Sequence, residues 1–295
     1  MFRVRRLLAP FVLCIALLFS EAQAFTIAWL SDTQNYHNAY KPIFDGMTQW
    51  IADNRAALDI RFVFHTGDVV GSWSSEDQWR QARESMGILS NASIPFLAAC
   101  GNHDIGYRMN YANFLKYVLS LRPASMSQEY GDTGSRYELF SANGRDYIFM
   151  GIAFSNKGPS EDEVNWINGV LRQYSSRDAI IITHSYLKKS ASYTTQGKAI
   201  FEKIVKANPN VFLVLCGHCR DISYKNVQLD DDGDGDPDRT VYAILSNFQG
   251  GKAGGGGYMR ILDFRDSDIY IYTYSPYYDS CEYPKGKTEA TVPLP

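Results

Sequence analysis

Three observations in the sequence predict an α/β fold of two packed sheets with helices outside. Short apolar runs of strand character alternate with amphipathic stretches through most of the chain. Two further runs flank Asn143-Gly144, a pair that marks a tight hairpin. From Ser223 onward, strand patterns follow one another without helical patterns between them, so the mixed core is expected to end in antiparallel strands.

At the amino end, Arg3, Arg5 and Arg6 precede an apolar run from Leu7 to Phe19, and Ala22-Gln23-Ala24 follows. A charged start, a short hydrophobic stretch and an Ala-x-Ala exit describe a secretory signal peptide. The run is shorter than the ~20 residues that span a bilayer as a helix. Residues 1–24 are therefore expected to be a leader cut after Ala24, and the mature chain to be periplasmic or extracellular with no transmembrane helix. No repeat or Pro/Ser-rich linker interrupts residues 25–295, which reads as one domain. A net charge of −3 without a basic run or an aromatic ladder excludes a nucleic-acid platform. Of the five cysteines, Cys14 leaves with the leader. Cys100, Cys216, Cys219 and Cys281 then face an oxidising compartment, where disulfides are expected, their pairing open.

Along the mature chain, Phe25–Leu30, Arg61–Thr66, Pro95–Cys100, Ala179–Thr183 and Val211–Cys216 read as buried strands. Helical patterns cover Pro42–Ala57, Ser75–Leu89, Asn110–Leu119, Ser160–Tyr174 and Gln196–Ala207. Ser160 with Glu163 three residues on forms a capping box for one of them. The hairpin joins Ser135–Ser141 to Tyr147–Ala153, and the closing strands are Ser223–Leu229, Val241–Leu245, Tyr258–Phe264 and Ile269–Tyr274.

The polar residues that matter follow the buried strands. Asp32, Gly67-Asp68, Gly101-Asn102-His103-Asp104, His184 and Gly217-His218 each stand just past a strand's carboxyl end. Ligands bind beyond that edge in open α/β sheets. Asp32, Asp68, Asn102, His184 and His218 are oxygen and imidazole donors suited to Zn, Mn or Fe, and the glycines let the backbone turn sharply beside them. Three of the five histidines fall on this edge. Such convergence points to a metal or catalytic cluster rather than to unrelated turns.

This order of blocks resembles the calcineurin-like metallophosphoesterase superfamily, in a secreted branch that begins Asp32-Thr33-Gln34. Trp166–Leu171, Thr183–Leu187, Asn247-Phe248-Gln249, Gly257–Leu262 and Thr273–Pro276 share in the resemblance. It implies a four-layer αββα sandwich and a phosphoesterase that cleaves a mono- or diester by attack of a metal-bound hydroxide. One metal would take Asp68, Asn102, His184 and His218; the other would take Asp32, a shared Asp68 and two histidines. This chain has Gln34 and Arg220 at those last two positions, so one or two ions and an altered second position are expected. Gln34 offers an amide oxygen, whereas a protonated Arg220 cannot ligate and could instead steady the phosphoryl charge. His103 corresponds to the family's general acid, with Asp104 orienting it. The contrasting reading is a catalytically silent module for a phosphorylated or glycan ligand, in which Arg220 pairs with Asp32 and fills the site.

Three further features carry expectations. Asp230, Asp232, Asp234, Gly235, Asp236 and Asp238 follow a calcium-loop spacing, but Val241 stands where a bidentate Glu belongs. A structural calcium and a plain polar turn both remain open. Cys216-Gly217-His218-Cys219 has a redox-dithiol spacing but lacks the helix such a motif opens. The substrate face is assigned to the segment between Asp104 and Ser135 and to Gly250–Gly257, whose six glycines suggest a mobile edge.

Overall fold

The computed structural model describes residues 24–122, 128–284 and 289–295, so all of the expected leader except Ala24 lies outside it. In chain order the elements begin with β1 (Phe25–Leu30), α1 (Lys41–Asp53), β2 (Ile60–His65), α2 (Glu76–Asn91), β3 (Phe96–Ala98), α3 (Asn102–Ile105) and α4 (Ala112–Tyr117). They continue with β4 (Gln128–Glu129), β5 (Arg136–Ala142), β6 (Arg145–Ile152), α5 (Glu161–Gln173), β7 (Asp178–Thr183), α6 (Thr195–Ile200) and β8 (Val211–Cys216). The chain closes with β9 (Ile222–Leu229), β10 (Arg239–Ser246), β11 (Met259–Phe264), β12 (Asp268–Tyr274) and β13 (Ala290–Pro293).

Two mixed sheets form, ordered β13-β12-β11-β1-β2-β3 and β4-β5-β6-β7-β8-β10-β9. The period-two geometry of β1 explains the layering. Ile27 and Trp29 point between the sheets and meet Phe149, Ile180, Ile182 and Leu213 from the other one. Ala28 and Leu30 point the opposite way, onto Phe44, Met47 and Ile51 of α1 and Trp79, Met86 and Leu89 of α2. On the far side, Ile181 and Val214 pack against Val164, Ile167 and Leu171 of α5 and Ile200 of α6. The result is the expected αββα sandwich. Strands buried on both faces show no polar alternation, which is why β1 and β8 read as continuous apolar runs.

Local signals mostly hold. Asn143 and Gly144 take φ of 53° and 74°, the two left-handed residues of a type I′ turn. Only half of the capping box forms. Ser160 Oγ accepts the Glu163 amide at 3.2 Å, but the Glu163 carboxylate accepts the Ser135 hydroxyl instead of returning to the cap. The closing strands pair antiparallel as expected, but they divide between the two sheets. β9 and β10 complete the second sheet, with β10 parallel to β8, whereas β11 and β12 cross back to the first sheet and pair antiparallel beside β1. Both sheets still offered an open edge, and no local pattern tells a strand which edge to join.

The disulfide expectation is not met: Cys100, Cys216, Cys219 and Cys281 are all free thiols. Cys100 belongs to the core beneath α1 and α2, and Cys216 to the core beneath α5 and α6, so both sheets stand between them. Burial pushes the thiols of Cys100 and Cys216 upward, which keeps them protonated and inert. Among the described residues, no helix is long and apolar enough to cross a membrane.

Candidate metal centre

Three of the predicted ligands sit in left-handed backbone conformation: Asp32 (φ 50°), Asp68 (φ 52°) and His218 (φ 68°). Each such residue costs about 1–2 kcal/mol relative to ordinary backbone, and strain of this kind gathers at functional sites. Hydrogen bonds to the carboxylates help hold the turns. Both Asp32 oxygens accept the His218 amide at 3.2 Å, and Asp68 Oδ1 accepts the His103 amide at 2.8 Å. The flanking glycines serve close approach more than sharp turning. A Cβ on Gly217 would lie 2.2 Å from Asp32 Oδ2, and one on Gly101 would lie 2.2 Å from Asp68 Oδ1. Gly67, at φ 95°, does use glycine's conformational freedom.

One half of the centre converges on a single atom. His184 is fully buried, and its Nδ1–H donates to the Thr66 carbonyl at 2.8 Å, which turns Nε2 into the site. Around that Nε2 lie Asn102 Oδ1 at 3.0 Å, Asp68 Oδ2 at 3.2 Å and His218 Nδ1 at 3.2 Å. Donor atoms of Asp68, His184 and His218 all fall within 4.8 Å of one another. Burial alone would push His184 down, but the Asp68 carboxylate beside it prevails and lifts it to about 9. Burial pushes His218 the other way, to about 4, with the charge of His184 adding to the effect. A proton on Nε2 and a divalent cation satisfy the same acceptors, so binding an ion displaces that proton. These four residues fit a transition-metal site in donor type, spacing and outer support.

The other half is built differently. Asp32 is almost fully buried, and burial pushes its carboxyl to about 7. Ser31 Oγ donates to it at 2.5 Å, and Gln249 Nε2 stands 3.5 Å away. Gln34 lies in the single helical turn Thr33–Asn35 just beyond, buried, its Oε1 without a donor among the described residues. Arg220 is exposed, its stem 3.5 Å from where a Cβ on Gly250 would sit, and it pairs with no carboxylate among the described residues. The Arg220–Asp32 pair that would fill and silence the site is thus not formed.

The family profile described as calcineurin-like phosphoesterase matches residues 25–219. The chain belongs to that family. It is 41% identical over 259 residues to uncharacterized protein YvnB of Bacillus subtilis (strain 168), covering 86% of this chain and 20% of that protein. It therefore spans about a fifth of that relative's length. Among solved structures it is similar to a dimetal phosphatase from Danio rerio, with TM-score 0.61 and 12% identity over 91% of this chain and 98% of that one. A purple acid phosphatase, PPD1, from yellow lupin (Lupinus luteus) seeds aligns with TM-score 0.59 and 13% identity over 92% of this chain and 54% of that one. At such identities these two likenesses show the fold alone.

In this calcineurin-like chain the block Gly101–Asp104 divides its labour differently from expectation. His103 is exposed, and its Nδ1 is held by the Gly71 carbonyl at 2.9 Å, not by Asp104. Asp104 is buried and accepts backbone amides: Val69 at 2.8 Å and Val70 at 3.1 Å on one oxygen, Gly101 at 2.7 Å on the other. Burial and the neighbouring Asp68 push its carboxyl up to about 8 against the pull of those donors. Its role is to clip the Asp68 loop to the start of α3. The side chain cannot turn toward His103 without releasing those amides.

The sequence reading missed His65. It is fully buried at the end of β2, where Nδ1 accepts the Gly67 amide at 3.1 Å. Nε2–H then donates to Thr33 Oγ1 at 3.0 Å, and Thr33 donates to the Val69 carbonyl at 3.3 Å. His65 thereby ties the Asp32 loop to the Asp68 loop. Burial, reinforced by the charge of His184, pushes it down to about 3, so it stays neutral.

Two other expectations find their places. In the acidic turn, oxygens of Asp230, Asp232 and Asp238 come within 4.8 Å of one another, all exposed, while Asp234 and Asp236 stay outside that group. Asp230 accepts the Gly233 amide at 2.6 Å and the Gly235 amide at 2.9 Å, which completes the turn from within. In the glycine-rich loop, left-handed backbone from Gly254 to Gly257 and close packing together account for those four glycines. A Cβ on Gly255 would lie 2.7 Å from the Tyr36 hydroxyl, which accepts the Gly257 amide at 2.9 Å.

Proposed function

We propose that this chain is an exported phosphoesterase that hydrolyses a phosphate mono- or diester with the help of a bound divalent transition metal, Zn, Mn or Fe. The observation that carries the reading is the closure of Asn102, Asp68 and His218 on His184 Nε2 at 3.0–3.2 Å. Those four residues would hold the ion. When bound, it supplies positive charge that polarises a water and the phosphoryl oxygens.

The remaining roles belong to the protein's own groups. His103, anchored through Nδ1 on the Gly71 carbonyl, keeps Nε2 for the leaving oxygen and delivers a proton there. Arg220, exposed at the rim, meets the phosphoryl charge with a guanidinium fork. Asp104 and His65 hold the ligand loops in register. The signal-like residues 1–24 support export and processing at Phe25, and N-terminal sequencing of the secreted or periplasmic protein tests that directly.

The decisive experiment pairs metal content with turnover of p-nitrophenyl phosphate and bis(p-nitrophenyl) phosphate after addition of Mn²⁺ or Zn²⁺. The reading expects a tightly held ion and metal-dependent hydrolysis of at least one chromogen. A protein that retains no ion and turns over neither chromogen would overturn it.

A further inference from the structure

The geometry points to an aromatic cavity beside the metal centre, walled by Tyr258, Tyr278 and Tyr283, that seats a planar aromatic group of the phosphoester substrate. The inference rests on the phosphoesterase reading above and deepens it, because it names the part of the substrate that the protein selects. The cavity measures about 400 Å³, and Gly251, Lys252 and Gly255 also line it. That volume falls in the ~300–1,000 Å³ range of small-molecule sites.

The three rings are fixed without help from a ligand. Tyr258 and Tyr283 meet edge to face with centroids 5.1 Å apart, and the buried Phe248 packs against both, at 5.7 and 5.0 Å. Tyr258 Oη donates to the Glu282 carbonyl at 2.7 Å, which ties it to the chain just before Tyr283. Tyr278 lies 5.8 Å from Tyr258 between centroids, and a Cβ on Gly256 would come within 2.4 Å of its ring. Ser275 Oγ donates to the Gly256 carbonyl at 2.6 Å and accepts the Tyr278 amide at 3.1 Å, so the backbone locks that contact too. Rings held in this way lose little freedom on binding. Tyr278 nevertheless stays 45% exposed, a rigid aromatic surface that a stacked ring would cover.

One short stretch of chain joins the cavity to the centre. Gln249 Nε2 stands 3.5 Å from Asp32 Oδ1, and a Cβ on Gly255 would lie 3.1 Å from Gln249 Cα. Gly250 and Gly251, which follow, are exposed, and a Cβ on Gly250 would meet the Arg220 stem at 3.5 Å. A phosphoester held at the centre and by Arg220 therefore crosses two residues without side chains to reach the rings. The wall decides what it carries there. Among the described residues no leucine, isoleucine or valine lines the cavity, as an acyl chain would favour. Tyrosine cages also attract quaternary ammonium groups, but the Lys252 ammonium in this wall repels one. A flat, uncharged ring meets the tyrosine faces and edges without either conflict.

The test uses the purified full chain loaded with Mn²⁺ and two non-hydrolysable probes, 2-phenylethylphosphonate and hexylphosphonate, with affinities read by calorimetry. Wild type should bind the phenyl probe about tenfold more tightly, the scale of one stacking contact. Tyr278→Leu, which keeps apolar bulk and removes the ring, should bring the two affinities to parity while circular dichroism and metal content match wild type. Tyr278→Phe, which keeps the ring, should keep the preference. Hydrolysis of 2-phenylethyl phosphate and hexyl phosphate, both esters of primary alcohols, should follow the same order in kcat/KM. Equal affinities in wild type, binding of neither probe, or an unchanged preference in Tyr278→Leu overturns the inference and leaves turnover of the p-nitrophenyl chromogens to decide the phosphoesterase reading. Tighter binding of (2-trimethylammonioethyl)phosphonate than of the phenyl probe also overturns it, by making the cavity an ammonium site. Ring-selective binding without hydrolysis of any ester would keep the cavity assignment and overturn the phosphoesterase reading instead.

Discussion

In one half of the centre three donors close on His184 Nε2 at 3.0–3.2 Å; in the other, a buried Asp32 carboxylate accepts the Ser31 hydroxyl at 2.5 Å and stands 3.5 Å from Gln249 Nε2. The first half takes its residues from the end of β2 in one sheet, from the ends of β7 and β8 in the other, and from the start of α3. The second recruits Gln249 from a loop 217 positions away from Asp32. The contrast teaches that strand ends deliver imidazoles with little help, while the surroundings of Asp32 depend on loops stitched together by Asn35, Asn247 and His65.

The largest effect should come from breaking the histidine half. His184→Ala is expected to lose its ion and lower turnover of the p-nitrophenyl chromogens by about 10³-fold, comparable to removing a principal transition-state contact. Retention of both the ion and the rate would mean that the convergence on Nε2 is structural only. His103→Asn separates chemistry from binding. It should lower kcat by ~10²-fold or more, the range of a lost proton donor, while metal content stays at the wild-type value. Arg220→His sharpens the comparison from the other side. If Arg220 stands where the resemblance places a second histidine near Asp32, the new imidazole should give about tenfold tighter binding of a second Zn²⁺ by calorimetry. No change in zinc affinity would place that side chain outside the group.

Smaller effects test the scaffold. Folded His65 takes a proton only near pH 3, against about 6.5 when unfolded. The stability it contributes is therefore fully present above pH 6.5 and is lost as pH falls toward 3. One such group adds up to about 1.4 kcal/mol per pH unit to the slope. Urea midpoints of His65→Asn should accordingly fall less steeply between pH 6.5 and 5 than those of wild type, and parallel slopes would refute the assignment. The smallest change belongs to the exposed acidic turn. Asp232→Asn should shift stability by less than about 0.5 kcal/mol and leave turnover untouched, because Asp230 closes the turn with backbone amides.

Much of the site was legible because ligand donors follow strands with a fixed logic. A buried strand reads as an apolar run, and the first polar residue past its carboxyl end faces the crevice. Asp32, Asp68, Asn102, His184 and His218 all obey this rule, and the structure gathers them. His65 escaped because it sits within the run Ile60–His65 and looks like one more buried strand residue. Gln249 was legible only as part of the block Asn247-Phe248-Gln249, and its approach to Asp32 depends on how a distant loop folds back. Asp104 misled because the resemblance implies that it orients His103, whereas side chains one apart in a helical turn point in different directions.

The sequence by itself determined the alternation of strands and helices and the polar residues that follow the strand ends, because both follow from residue type and periodicity, and its resemblance to a known family supplied the four layers and the expected ligand set. Only the tertiary structure decided which edge received β11 and β12, that Cys100 and Cys216 lie in separate cores, and that Gln249 stands beside Asp32. Those outcomes depend on which surfaces meet across long stretches of chain, and no local pattern carries that information.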